Sequence, residues 1–140
     1  MESTQEIRAE FEIVGWDPEP YEREGTASEL TKVRVRKRFS GEIVGTSDAE
    51  LLMASNPVGA GYVGSELFIG TVAGRDGSFV FQHWGVAEGA ASVADGYVVP
   101  GSGTGALEPM RGNVKISQDQ DGQHYITLNV SFAGGIEEMV

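Results

Sequence analysis

A chain of 140 residues, 40% hydrophobic and 22% charged, is long enough for one hydrophobic core, and it reads as a single domain over residues 1–140 with a flexible N-terminus at 1–5. Its net charge of −11 repels nucleic-acid backbones and anionic membranes, and no run approaches the roughly 18 apolar residues of a membrane span, so neither partner is expected. Cysteine is absent, which excludes disulfides, thiolate metal sites and cysteine nucleophiles. The opening MESTQEIRAEFEI carries neither the basic nor the apolar region of a signal peptide, and a cytoplasmic protein is the default expectation.

The dominant period along the chain is two, the spacing of a strand with one buried face. Ile7 to Trp16 alternates at Ile7, Ala9, Phe11 and Ile13, and Asp17-Pro18-Glu19-Pro20 is expected to end the strand, because proline cannot donate to a ladder. Residues 17–29 then read as an acidic loop. From Leu30 to Ser40, Val33, Val35 and Phe39 share one face and Arg34, Arg36 and Arg38 the other. Ile43 to Ala54 follows through Gly41, then a loop over 55–61 and a strand from Tyr62 to Ala73. Gly74-Arg75-Asp76-Gly77 reads as a hairpin connection with a favoured Asp-Gly pair. Ser78 to Ala87 is the next strand, and a turn at 89–91 leads into Ser92 to Val99. Asn113 to Gln118 and His124 to Phe132 complete the series around Asp121-Gly122. Glycine, at 20 residues, is about twice its usual share, which suits turns and bending strands rather than long helices. The fold class is therefore all-β, a single antiparallel eight-stranded barrel with at most one short helical turn.

Gly101-Ser102-Gly103-Thr104-Gly105-Ala106 resembles a phosphate-cradling loop, but the context does not support one. Such loops work by opening a helix whose free N–H groups face the phosphate. Here Pro109 and Gly112 prevent a durable helix, and no lysine follows the last glycine. The run is instead expected to be a corner in which three glycines supply positive φ and the chain passes through a short helical segment.

Several stretches together resemble the bacterial family called domain of unknown function 3224. They are FEIVGWDPEPY from Phe11, Gly45-Thr46-Ser47, Tyr62-Val63-Gly64 with Glu66-Leu67-Phe68, Gly77-Ser78-Phe79-Val80-Phe81-Gln82-His83, and Val98-Val99-Pro100-Gly101-Ser102-Gly103-Thr104-Gly105. The likeness spans roughly residues 11–132 in unbroken order. It implies a barrel similar to that of allene oxide cyclase, whose relatives include cyclases and isomerases of small apolar molecules, and it implies association into oligomers. The chain departs from the family pattern at Trp84, a bulky indole where a small residue is more usual and where it would narrow a pocket or an interface.

His83 shares its strand face with Phe79 and Phe81, and histidine is the side chain best suited to acid–base work near neutral pH. Glu66 lies on the face of Tyr62 and Phe68 in the preceding strand, so the hairpin brings the two to comparable heights. Glu66 and His83 are the expected catalytic pair, with Glu50 as a second carboxylate and Tyr62, Phe68, Phe81 and Tyr97 as ligand-lining residues. The plainer alternatives are a buried, hydrogen-bonded structural histidine, and glutamates exposed or paired with Arg34, Arg36 or Arg38. His124, beside a turn, is expected to be exposed. With two histidines and no cysteine, neither a dedicated metal site nor a cofactor is expected. Two functions follow. One is a barrel holding a small apolar ligand, with cyclase- or isomerase-like chemistry that restricts conformers and moves a proton. The other is a solid, non-catalytic module that self-associates as a dimer or larger homo-oligomer through Leu67, Ile69, Val80 and Trp84.

Overall fold

The structure, a computed structural model, describes residues 4–132. Alternating side chains build eight strands: β1 (Gln5–Tyr21), β2 (Glu29–Gly41), β3 (Ile43–Ser55), β4 (Gly59–Val72), β5 (Arg75–Glu88), β6 (Ala91–Val98), β7 (Arg111–Gln118) and β8 (His124–Ser131). Each pairs antiparallel with the next, and β1 pairs with β8 from Gln5↔Val130 to Phe11↔His124, which closes the barrel. The one helical element among the described residues is a 3-10 turn, Gly105–Leu107. No helix there is long and apolar enough to cross a membrane.

Several expectations shift: β4 begins at Gly59, inside the expected 55–61 loop, and β7 begins at Arg111. The two prolines do not end β1, because Pro18 lies opposite Val33 and Pro20 opposite Thr31. By that point β8 has ended, so β1 has a neighbour on one side alone. Prolines two residues apart turn their nitrogens the same way, and the unpaired side accepts them. A bulge between Ile13 and Gly15 shifts the phase of β1, so Ile13 is exposed rather than part of the inner face. The β4–β5 connection is the two-residue turn Ala73-Gly74, both at positive φ, and Asp76-Gly77 lies inside β5. At the N-terminus Gln5 is already paired with Val130, while residues 1–3 of the segment expected to be flexible lie outside the described residues.

The barrel has two unlike ends. At one, the chain from Val99 to Met110 folds across the opening and buries Leu107 and Met110. Ser102 Oγ accepts from Val80 N at 3.0 Å and Thr104 Oγ1 from Ser78 N at 3.0 Å, so these hydroxyls serve the edge of β5 where β6 has left it. Gly101 and Gly105 take positive φ as expected. Gly103 does not; it is there for contact, since a Cβ would lie 1.9 Å from the Leu107 carbonyl oxygen. Above this cap the interior is solid. Phe11, Phe39, Phe68, Phe79 and Phe81 touch in sequence, with ring centroids 5.3–5.6 Å apart. Each buried ring contributes about 2–3 kcal/mol by leaving water.

At the other end the barrel is parted. β6 and β7 share three paired positions, Asp95↔Lys115 to Tyr97↔Asn113, and β1 leaves β8 beyond Phe11. A smaller apolar cluster of Val33, Val35, Ala49 and Leu51 lines this half, with Met53 and Tyr62 packed against it.

Candidate functional site

The inward phases of β2 to β5 converge where the two halves meet. On β2, Lys37 falls between Val35 and Phe39 and is buried. β3 contributes Ser47, β4 contributes Tyr62 and Glu66, and β5 contributes His83. Glu66 lies opposite Phe81 and Gly64 opposite His83, so Glu66 and His83 meet on the diagonal. Glycine flanks His83 on both sides, Gly64 on β4 and Gly96 on β6; a Cβ on Gly96 would come within 2.7 Å of His83 Cβ, while one on Gly64 would meet Leu51.

Glu66 is wholly buried, and its carboxylate is fully engaged. Oε1 accepts from Lys37 Nζ at 2.9 Å and His83 Nε2 at 2.8 Å, while Oε2 accepts from Ser47 Oγ at 2.5 Å. Burial pushes this carboxyl up, but the Lys37 charge and the hydrogen bonds from His83 and Ser47 outweigh it and bring Glu66 down to about 2. Glu66 is therefore an anion, and an anion can accept but not donate. His83 Nε2 must carry a proton. His83 Nδ1 lies 2.8 Å from the Tyr62 hydroxyl, which completes a line of groups from Tyr62 through His83 to Glu66. The imidazole also stacks on Phe81, with centroids 5.3 Å apart, so its plane is fixed.

Tyr62 is the outermost member of the line. Its ring lies flat over Gly85, its cross-strand partner, where a Cβ would lie 2.3 Å from the ring. Burial, and then the Glu66 charge, push the Tyr62 hydroxyl up to about 12. Tyr62 also lines a cavity of about 550 Å³ at the parted end, together with Met53, Val86, Val93, Ile116 and His124. His124 is half-buried there rather than exposed, stacked on Phe11 at 5.0 Å. Burial and the nearby Lys37 charge lower its pKa.

The other expected residues divide differently. Phe68 and Phe81 face inward but belong to the solid core rather than to the lining of this cavity, packed ring on ring. Glu50 faces outward, 3.9 Å from Lys32, because it is out of phase with Glu66's inward-facing neighbours on β3. Tyr97 is 46% exposed on the outer face, donating to Gln82, and Trp84 is 42% exposed on the same face. The indole therefore narrows nothing inside the barrel. Lys37 and Ser47 are the groups that sequence reasoning missed. The signal was present in Lys37, a cation in the inward phase of an otherwise apolar strand face, which requires a buried anion. No three His, Asp or Glu side chains gather as a metal site would need among the described residues.

The family described as Protein of unknown function (DUF3224) matches residues 7–130. The chain belongs to this family. A DUF3224 protein of unknown function from Shewanella oneidensis MR-1, known from its crystal structure, is 31% identical to this chain. That likeness covers 95% of this chain and 100% of the other, with a TM-score of 0.84. No curated protein matches the chain. The DUF3224 match contains every member of the Tyr62–His83–Glu66–Lys37 group.

Proposed function

We propose that this barrel binds a small, largely apolar molecule in the cavity at its parted end and moves a proton on it through Tyr62, His83 and Glu66. The observation that carries this reading is a cavity-lining tyrosine whose hydroxyl is hydrogen-bonded to a histidine, the other nitrogen of which rests on a buried carboxylate. In the resting state Tyr62 donates to His83 Nδ1 and His83 Nε2–H donates to Glu66. A free tyrosinate is disfavoured up to about pH 12, so the hydroxyl receives one proton as it gives another. The ligand's proton passes to the Tyr62 oxygen, the tyrosine's own proton passes to His83 Nδ1, and Glu66 stabilises the imidazolium. Returning the proton to a different ligand atom isomerises the ligand with no oxidant or cofactor consumed.

The ligand sits at the mouth rather than deep in the lumen, which is packed with phenyl rings. Ligand-observed NMR with a library of small apolar compounds tests the reading. Binding is expected in the unaltered protein and lost in Ala94→Trp, which fills the cavity opposite Gly85. Binding that survives Ala94→Trp overturns it.

A second reading concerns the outer face of β3 to β5, where Leu52, Val63, Leu67, Ile69 and Trp84 are exposed together on a chain of net charge −11. On β4 and β5 the outward side chains from Val63 to Ile69 and from Ser78 to Trp84 are all uncharged, so this part of the face suits a second copy, since charge repulsion is weakest there. Sedimentation should find a dimer or larger species at micromolar concentration and a monomer after Trp84→Glu. A monomer before substitution removes this reading.

A further inference from the structure

We infer that the ligand of this cavity is a neutral hydroxy compound, a phenol, enol or alcohol on an apolar body, which donates its O–H to Tyr62. The inference rests on the cavity reading above and follows from the direction of the hydrogen bonds behind the cavity wall.

The direction is set from the bottom upward. Lys37, Ser47 and His83 all point donors at Glu66, so the Glu66 carboxylate is an acceptor. His83 Nε2 therefore keeps its proton. Lys37 already balances the Glu66 charge at 2.9 Å, so a second cation in this buried group would stand without an anion; the ring is neutral and its Nδ1 is a bare lone pair. The group at 2.8 Å from that lone pair is the Tyr62 hydroxyl, which must turn its proton toward it. Among the described residues His83 is the one hydrogen-bond partner of this hydroxyl. What Tyr62 offers the cavity is thus oxygen lone pairs and no proton. An ether or ketone oxygen meets lone pair against lone pair there. A carboxylate meets the same mismatch with a full charge, and the one cation among the lining residues, Lys115, is exposed at the rim. A hydroxyl satisfies Tyr62 and leaves the rest of the molecule to Met53, Ala87, Ala94 and Ile116. The same hydroxyl is the proton that the relay would take up.

Three probes of nearly equal shape separate these cases: para-nitrophenol, para-nitroanisole and para-nitrobenzoate, titrated by NMR and absorbance. The phenol is expected to bind roughly tenfold more tightly than the anisole or the benzoate, the cost of an unmet polar group. In Tyr62→Phe, checked for folding by its melting curve, the phenol should lose that advantage to within about twofold. Absorbance of the bound phenol reports whether its proton has moved, and a phenolate band that vanishes in His83→Gln supports the relay direction. Equal binding of all three probes in the unaltered protein, abolished by Ala94→Trp, overturns the hydroxyl inference and leaves the cavity reading standing. An advantage of the phenol that persists unchanged in Tyr62→Phe also overturns it. Absence of binding by every probe, or binding untouched by Ala94→Trp, overturns both.

Discussion

The two ends of this barrel are built from the same alternating strands, yet they are stabilised by different physics. The capped half is phenyl packed on phenyl, closed by Leu107 and Met110, and its interior is apolar. The parted half holds an ion pair, a histidine and a tyrosine beside a cavity. Neutral packing loses stability in proportion to the volume removed. A buried ionic group fails when one partner is removed, because the other is stranded away from water. The contrast teaches where function can reside: a solid core offers no room, whereas a satisfied polar cluster next to a cavity can exchange a proton.

Substitutions that open each half make the contrast measurable. Lys37→Met should cost roughly 3–5 kcal/mol at neutral pH by leaving the Glu66 carboxylate unpaired, read from urea denaturation. Phe79→Ala should cost a comparable 3–5 kcal/mol, approximately, by leaving a cavity. The two losses separate with pH. The Phe79→Ala loss should stay level, while the Lys37→Met loss should shrink in acid as Glu66 takes up a proton.

The unaltered protein should show the same group directly. Glu66 is held at about 2 against an ordinary 4.5, so its contribution is complete above the ordinary value and is lost as pH falls toward 2. The shift corresponds to about 3 kcal/mol. Denaturation midpoints followed from pH 6 downward should register it, and Glu66→Gln should flatten that part of the profile.

A subtler probe is Gly85→Ala, whose new methyl would meet the Tyr62 ring. The expected cost is about 1–3 kcal/mol, together with a shifted His83 NMR signal as the tyrosine leaves Nδ1. An unshifted signal would mean that Gly85 does not position Tyr62. At the small end, Glu50→Ala should change stability by no more than about 0.5 kcal/mol, since its partner Lys32 is a solvated surface cation. A larger effect would mean that Glu50 takes part in something beyond that pair.

Much of this was legible in the residues. Period two put Glu66 and His83 on inward faces, and two successive strands joined by a tight turn brought them together, as they are at 2.8 Å. Period two also placed Leu67, Ile69 and Trp84 outward. Acidic or aromatic character singles out Glu50 and Tyr97 but does not reveal the phase of a strand; both point outward, where they border a shallow depression with Trp84 rather than the interior. Period two put Phe68 and Phe81 on the lining of a ligand space, since alternation distinguishes inside from outside but not a filled interior from an open one. His124 was judged by its nearness to a turn, whereas the parting of β6 from β7 makes that position a cavity wall.

The sequence by itself determined the strand count, the sign of the molecule's field, the glycine-rich corner with its short helical turn and the family, because each depends on local spacing, composition or motif order. Only the tertiary structure decided which end is open, that Lys37 and Ser47 hold Glu66, and that Tyr62 links this buried group to a cavity. Those facts depend on contacts between residues far apart in the chain, and alternation within one strand carries no information about what the opposite wall places against it.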